Sequence, residues 1–287
     1  MCYGLILARY VNVVRLLRFV DRVATYQSDN QLLIFLNHLL ITVQDFYAAR
    51  GWRAFPSSHI SLTASPDIPS DLPPTQPLTT ADLPYLCEAD ESALLSQIPK
   101  AQTPTVALVP DLATLTWHHA REDFVASELY SNSRKPEIKG AVVGTESGKQ
   151  AWCVWTRVWA NPSEEEGSTL HILRLVVEDG LLGESSSGYD FGPATEDGVV
   201  AVKGSDSEAV AAVAALFAAA MREASEWEME AVEFWNPNAI ALAGARRLDA
   251  GVEVHAREKA SICSLRWYGE GSGEDVEWVC NEKFGWC

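Results

Sequence analysis

The sequence predicts an α/β protein: a mixed, twisted sheet with flanking helices, arranged as tandem halves of which the first is incomplete. Three observations predict it. Residues 11–62 read in the order helix, strand, helix, strand, the tail of one such half. A proline-rich stretch then breaks the pattern. Beyond it the order is two helices, three strands, helix, strand, helix and two strands, the succession of a whole second half. The division is therefore 1–62 for the partial first half, 63–79 for a linker and 80–287 for the second half.

Each element has a local reason. Val13, Leu16, Leu17, Val20 and Ala24 recur at helical spacing while Arg15, Arg18 and Arg22 share another face, so residues 11–26 predict an amphipathic helix. Residues 32–36 predict a buried strand, 42–49 a short helix stopped by Gly51, and 52–62 a strand containing Pro56. Between Ala64 and Pro84, Pro66, Pro69, Pro73, Pro74, Pro77 and Pro84 stand among Ser, Thr and Asp, which suits neither a helix nor a central strand. Thr80 and Asp82 are placed to cap a helix to about residue 97, and Pro110-Asp111 to open another to about 130. Residues 139–144, 150–160 and 168–179 alternate or run apolar as strands, with a polar turn over 161–167. Ser205 to Glu208 reads as the cap of an alanine-rich helix ending near 227. A strand over 231–235 comes next, then a short helix opened by Asn236-Pro237-Asn238, then final strands within 251–268 and 275–282.

Composition narrows the function. With 287 residues, 47% of them hydrophobic, the chain can bury a large core. Its 22 basic and 39 acidic residues give a net charge of −17, a field that repels phosphate backbones and anionic headgroups. Nucleic-acid and membrane partners are not expected, whereas a cationic amine suits that field. Six cysteines without a C-x-x-C pair signal neither a disulfide framework nor a zinc site, so a reducing, cytoplasmic setting is expected. The longest apolar run, 32–43, is interrupted by Asn37 and His38 and falls short of the roughly 20 residues of a membrane span.

Phe46-Tyr47, three residues, then Gly51-Trp52 end a helix on an aromatic pair, turn on glycine and restart as a strand. This corner resembles the last helix-to-strand corner of the GNAT acyl-CoA N-acyltransferases. Residues 46–59, taken with the strand Leu170-His171-Ile172-Leu173-Arg174-Leu175 and the ending around Trp267-Tyr268-Gly269 and Trp278-Val279, are similar to the fungal lysine N-acetyltransferases of lysine degradation. The resemblance implies acetyl transfer from acetyl-CoA to a small amine, the N6 amine of lysine. It also implies that Tyr47 protonates the departing thiolate, a role its phenol can fill if the hydroxyl faces the cofactor. His59, at the end of the same corner, is the candidate substrate-binding residue.

The cofactor loop of that family, [RQ]-x-x-G-x-[GA], is not legible. Residues 1–10 do not match it, and the family's first strands are not recognised upstream, so the first half reads as cut short or diverged. Gly180, Gly183, Gly188, Gly192, Gly198 and Gly204 precede a helix without the required spacing, and Gly269, Gly271 and Gly273 precede a strand. No cofactor-binding residue is assigned. Structural readings stand beside the chemical ones: Tyr47 as a core anchor with Phe46, His59 as a strand-end histidine, and His118-His119 as packed residues about 100° apart on a helix, unsuited to sharing a metal. Glu164, Glu165 and Glu166 read as a solvated turn, and Trp152, Trp155 and Trp159 as strand residues divided between two faces. The rival to an acetyltransferase is a non-catalytic binding or scaffold protein of the same fold; a GNAT activity on a polyamine or a protein N-terminus is a third reading.

Overall fold

The computed structural model describes residues 4–9, 31–36, 48–49, 51–67, 69–97, 103–131, 134–160, 167–182, 194, 207–257, 262–267 and 273–286. The expected helix over 11–26, the turn at Glu164 to Glu166 and nearly all of the glycine-bearing 183–206 lie outside these residues. So does Tyr47.

The centre is a seven-stranded mixed sheet. Its strands are β4 (Ser58–Thr63), β5 (Thr75–Leu78), β7 (Gly140–Val143), β8 (Ala151–Val158), β9 (Thr169–Val177), β10 (Ala231–Trp235) and β11 (His255–Ala256). They lie side by side in the order β11-β4-β10-β9-β8-β7-β5. Only β9 and β10 run parallel within the sheet; the other neighbours are antiparallel. Helices α1 (Leu83–Gln97) and α2 (Leu112–Tyr130) lie on one face, and α3 (Ser207–Glu226) and α4 (Ala239–Leu248) on the other. The alternation of the strands feeds two cores. Ile60, Leu62, Trp155, Leu170, Ile172, Val232 and Phe234 pack with the alanines of α3 and α4, while Trp152, Val154, Leu173 and Trp235 pack with α1, α2 and the C-terminal segment. The tryptophans of β8 are divided between faces as their spacing predicts.

Two helix starts obey their capping residues. Asp111 accepts the Thr114 N–H at 2.7 Å and Asn238 the Ala241 N–H at 2.9 Å, whereas Asp82 turns back to the Thr79 N–H at 2.7 Å and fixes the turn ahead of α1. Gly51 takes φ +81° and its N–H reaches the Ala48 carbonyl at 3.0 Å, the left-handed turn that the Gly-Trp corner requires.

Several expectations are corrected. The strand expected over 52–62 is two strands in different sheets, β3 (Arg53–Ala54) paired with β12 (Ser264–Leu265), and β4. Phe55-Pro56-Ser57 breaks it, because proline gives no ladder donor. The expected linker contains β5, an edge strand carrying Pro77, the position in a sheet where proline is tolerated. β4 joins the sheet through β10, so residues on both sides of that stretch share one sheet. A strand stands where none was recognised: β1 (Gly4–Arg9) pairs antiparallel with β2 (Gln31–Leu36). A short β6 (Thr105–Ala107), not anticipated, pairs with β13 (Glu277–Val279), and the long final strands shrink to β11, β12 and β13.

Candidate functional site

The parallel pairing of β9 and β10 runs from Ala231 opposite Thr169 to Phe234 opposite Ile172, and then stops. The cause lies in β9. A bulge against β8 moves the pairing from Val154–Arg174 to Trp155–Ile172, leaving Leu173 extra. The extra residue re-aims the rest of the strand, so that Arg174 turns towards α1 while Leu175 and Val177 turn to the α3/α4 face. Past the bulge the two parallel strands separate. At their carboxyl ends lies a cavity of about 430 Å³, walled by Leu175, Val177, Phe234, Ile240, Val254 and Trp278 and edged by Asn236 and Asn238. In open α/β sheets this is where ligands bind, outside the carboxyl ends of parallel strands.

The C-terminal segment forms one side of this cleft. Glu282 accepts the Leu175 N–H at 2.9 Å, a strand-edge donor that the departure of β10 would otherwise leave unpaired. Arg174 holds that carboxylate in place: its Nη1 donates to Glu282, and its Nε and Nη2 grip Asp90 of α1 at 2.8 Å each. Burial acts to lower the Arg174 pKa, but Asp90 and Glu282 outweigh it and the guanidinium stays charged. Burial pushes the Glu282 carboxyl above its ordinary range despite Arg174. Asn236, at φ +49°, accepts the Ser58 N–H at 2.8 Å and donates to the Asn281 carbonyl, tying β4, β10 and the C-terminal segment together.

An acyl-CoA can be set against this cleft. Its apolar walls and open strand edge fit the thin pantetheine arm. The one cation among the described lining residues, Arg174, is committed to two carboxylates, so the phosphates find no counter-charge there. The glycine-bearing segment leading into α3 lies almost wholly outside the described residues.

His59 does not line the cleft. It sits on β4 with its side chain on the opposite face of the sheet, its ring 5.6 Å from that of His255 and its backbone opposite Trp235. Burial lowers its pKa, opposed by Glu233 and aided by Arg257 and His255. In the next row across the sheet stand Ser61, Glu233 and His171. Arg257, just beyond β11, lays its guanidinium 3.4 Å from the centre of the Trp235 ring.

His118 and His119 are buried on α2 and do different work. The Nε2 of His118 donates to the Phe284 carbonyl at 2.8 Å, and that of His119 to the Trp155 carbonyl at 3.0 Å. Burial takes each pKa down to about 4. A second buried network sits beneath α2, where Glu122 accepts from the Arg157 backbone N–H and guanidinium and from Lys139.

Sequence reasoning missed Arg174, Glu282, Arg257 and Glu233. Arg174 had a signal, as the one charge inside an apolar run. The others lie in short segments whose partners are distant in the chain.

A family model described as the LYC1 GNAT-like C-terminal domain matches residues 59–287, from β4 to the end of the chain. No curated protein matches the chain.

Proposed function

The chain belongs to the LYC1 GNAT-like C-terminal domain family, and on that premise we propose that it serves acetyl transfer from acetyl-CoA to a small amine, the N6 amine of lysine. The observation that carries the reading is the cleft at the separation of β9 and β10. Leu175, Val177, Phe234 and Ile240 would hold the pantetheine arm there. Acetyl-CoA supplies the acyl group already activated as a thioester. Tyr47 is proposed, by resemblance, to return a proton to the thiolate. The acidic field of the chain favours a cationic amine over an anionic acceptor.

The test is an amine panel with acetyl-CoA, comparing lysine, polyamines and a peptide N-terminus, with thiol release as the readout. Lysine is expected to be preferred, and Tyr47→Phe to lower kcat about 10²-fold or more. A wide preference for another amine would overturn the substrate. One observation favours the rival, a non-catalytic binding protein: the Glu282 carboxylate occupies the Leu175 N–H at the edge of the cleft. That reading expects no thiol release with any amine.

A further inference from the structure

We propose that a second pocket, adjoining the cleft at Phe55, takes the acid end of an amino-acid acceptor, with Arg53 holding the carboxylate. The inference rests on the small-amine reading above and assigns the recognition of that substrate to a named residue.

The Gly-Trp corner builds the pocket. After the left-handed turn at Gly51, Arg53-Ala54 pairs with Ser264-Leu265, which sets Leu265 and Trp267 beside Trp52. Phe55 follows, its N–H on the Cys263 carbonyl at 2.8 Å. Gly273, at φ +75°, lies so close to Trp267 that a Cβ would come within 2.5 Å of that side chain. Trp52, Phe55, Leu265 and Trp267 thus wall a pocket of about 270 Å³, with Arg53 and Glu274 as its charged lining. Pockets for drug-sized ligands run from about 300 Å³ upward, so this one suits a molecule the size of an amino acid and not the nucleotide end of a coenzyme. Phe55 lines the cleft as well, and its ring meets that of Trp278, a cleft wall, edge to face at 5.4 Å. A short chain with one end in the pocket can therefore lay its other end at the edge of the cleft.

Arg53 is arranged to receive an anion. Its guanidinium lies 4.3 Å from the centre of the Phe55 ring, and its Nη1 donates to the carbonyls of Gly273, at 2.8 Å, and Glu274. These contacts fix the group through one nitrogen. Among the described residues Nε and Nη2 have no partner, and the side chain is exposed, so both are open to a ligand. They form the edge by which Arg174 grips Asp90, a side-on fork that matches a carboxylate.

The surroundings select among anions. Glu274 lines the pocket and Asp275 follows it, both exposed, and the whole chain carries a net charge of −17. That field repels a phosphate and tolerates a carboxylate whose molecule also carries ammonium groups. An amine without an acid would leave the fork of Arg53 unmet. An amino acid with a terminal amine on an aliphatic side chain fits every part: carboxylate on Arg53, methylenes against the aromatic walls, and the amine led past Phe55 towards the cleft.

The experiment is calorimetric titration of the full chain with L-lysine, with L-lysinamide, in which a neutral amide replaces the carboxylate, and with inorganic phosphate. L-Lysine is expected to bind about tenfold more tightly than the amide, although the acidic field alone favours the amide. Arg53→Gln is expected to abolish the preference. Arg247→Gln, which removes an exposed arginine paired with Asp71 on α4, is expected to retain it. Equal binding of lysine and lysinamide by the unmodified chain would overturn the pocket, and so would phosphate binding as tightly as lysine, or the two variants behaving alike. Acetyl transfer to lysinamide with the same KM as to lysine would overturn the pocket and leave the acetyltransferase reading standing. Preferential lysine binding that depends on Arg53, without acetyl transfer, would do the reverse.

Discussion

Acid should destabilise this fold through two histidines of α2, by an amount set by their surroundings. His118 and His119 each have an unfolded pKa near 6.5 and a folded one near 4. A base whose folded pKa is depressed contributes stability that is complete above pH 6.5 and lost as pH falls towards 4, because the unfolded chain binds the proton first. Holding each folded pKa near 4 against 6.5 amounts, at 1.36 kcal/mol per pH unit, to about 3 kcal/mol per histidine. Glu282, whose pKa is raised by burial, works in the opposite sense, its contribution being lost as pH rises. The clean quantity is therefore the difference between the unmodified chain and a His119→Gln variant, whose amide can still donate to the Trp155 carbonyl. Unfolding in denaturant at a series of pH values from 7 to 4.5 gives it. The slope of stability on pH should be smaller in the variant by about one proton, or about 1.4 kcal/mol per pH unit. Parallel slopes would refute the reasoning, since His119 would then be protonated in the folded chain.

Arg174→Met removes the cation shared by Asp90 and Glu282, both under a tenth exposed, and leaves two buried carboxylates without that counter-charge. The expected loss is about 3–5 kcal/mol, read as a fall of about 5–8 °C in thermal midpoint for a chain of this size; a loss under about 1 kcal/mol would show that Arg174 does not hold the C-terminal segment. Gly244→Ala would place a Cβ 2.6 Å from the Val213 side chain, where α4 crosses α3. A loss of about 1–3 kcal/mol is expected, and an unchanged denaturation midpoint would mean the helices pack less closely than described.

Much of the fold was legible because its signals are local. The alanine-rich run of α3, the Asp111 and Asn238 caps and the apolar alternation of β8 and β9 each state their structure within about 20 residues. The elements that were missed depend on distant partners. β5 and β6 are too short to show a period and become strands only by pairing with β7 and β13, and β4 was separated from β10 by more than 160 residues of chain. The bulge that opens the cleft left no mark, because Leu173 is an ordinary strand residue. The site was legible in the same proportion. His59 stood out because it ends a motif, yet it does not line the cleft, whereas Arg257 acquires its setting only when β11 brings it over Trp235. Arg174 shows the middle case: the sequence marked a charge in an apolar strand, and only the structure supplied Asp90 and Glu282 to explain it.

The most direct measurement is calorimetric titration of the folded chain with acetyl-CoA, beside an Ala256→Trp variant that fills the cleft from an exposed position on β11. Micromolar binding, around −8 kcal/mol, abolished by Ala256→Trp, is the expected result and would place the cofactor arm between β9 and β10. A folded chain that binds no acetyl-CoA, or binds it equally well with the cleft filled, would contradict the proposal and leave a GNAT-like domain whose cleft serves another ligand.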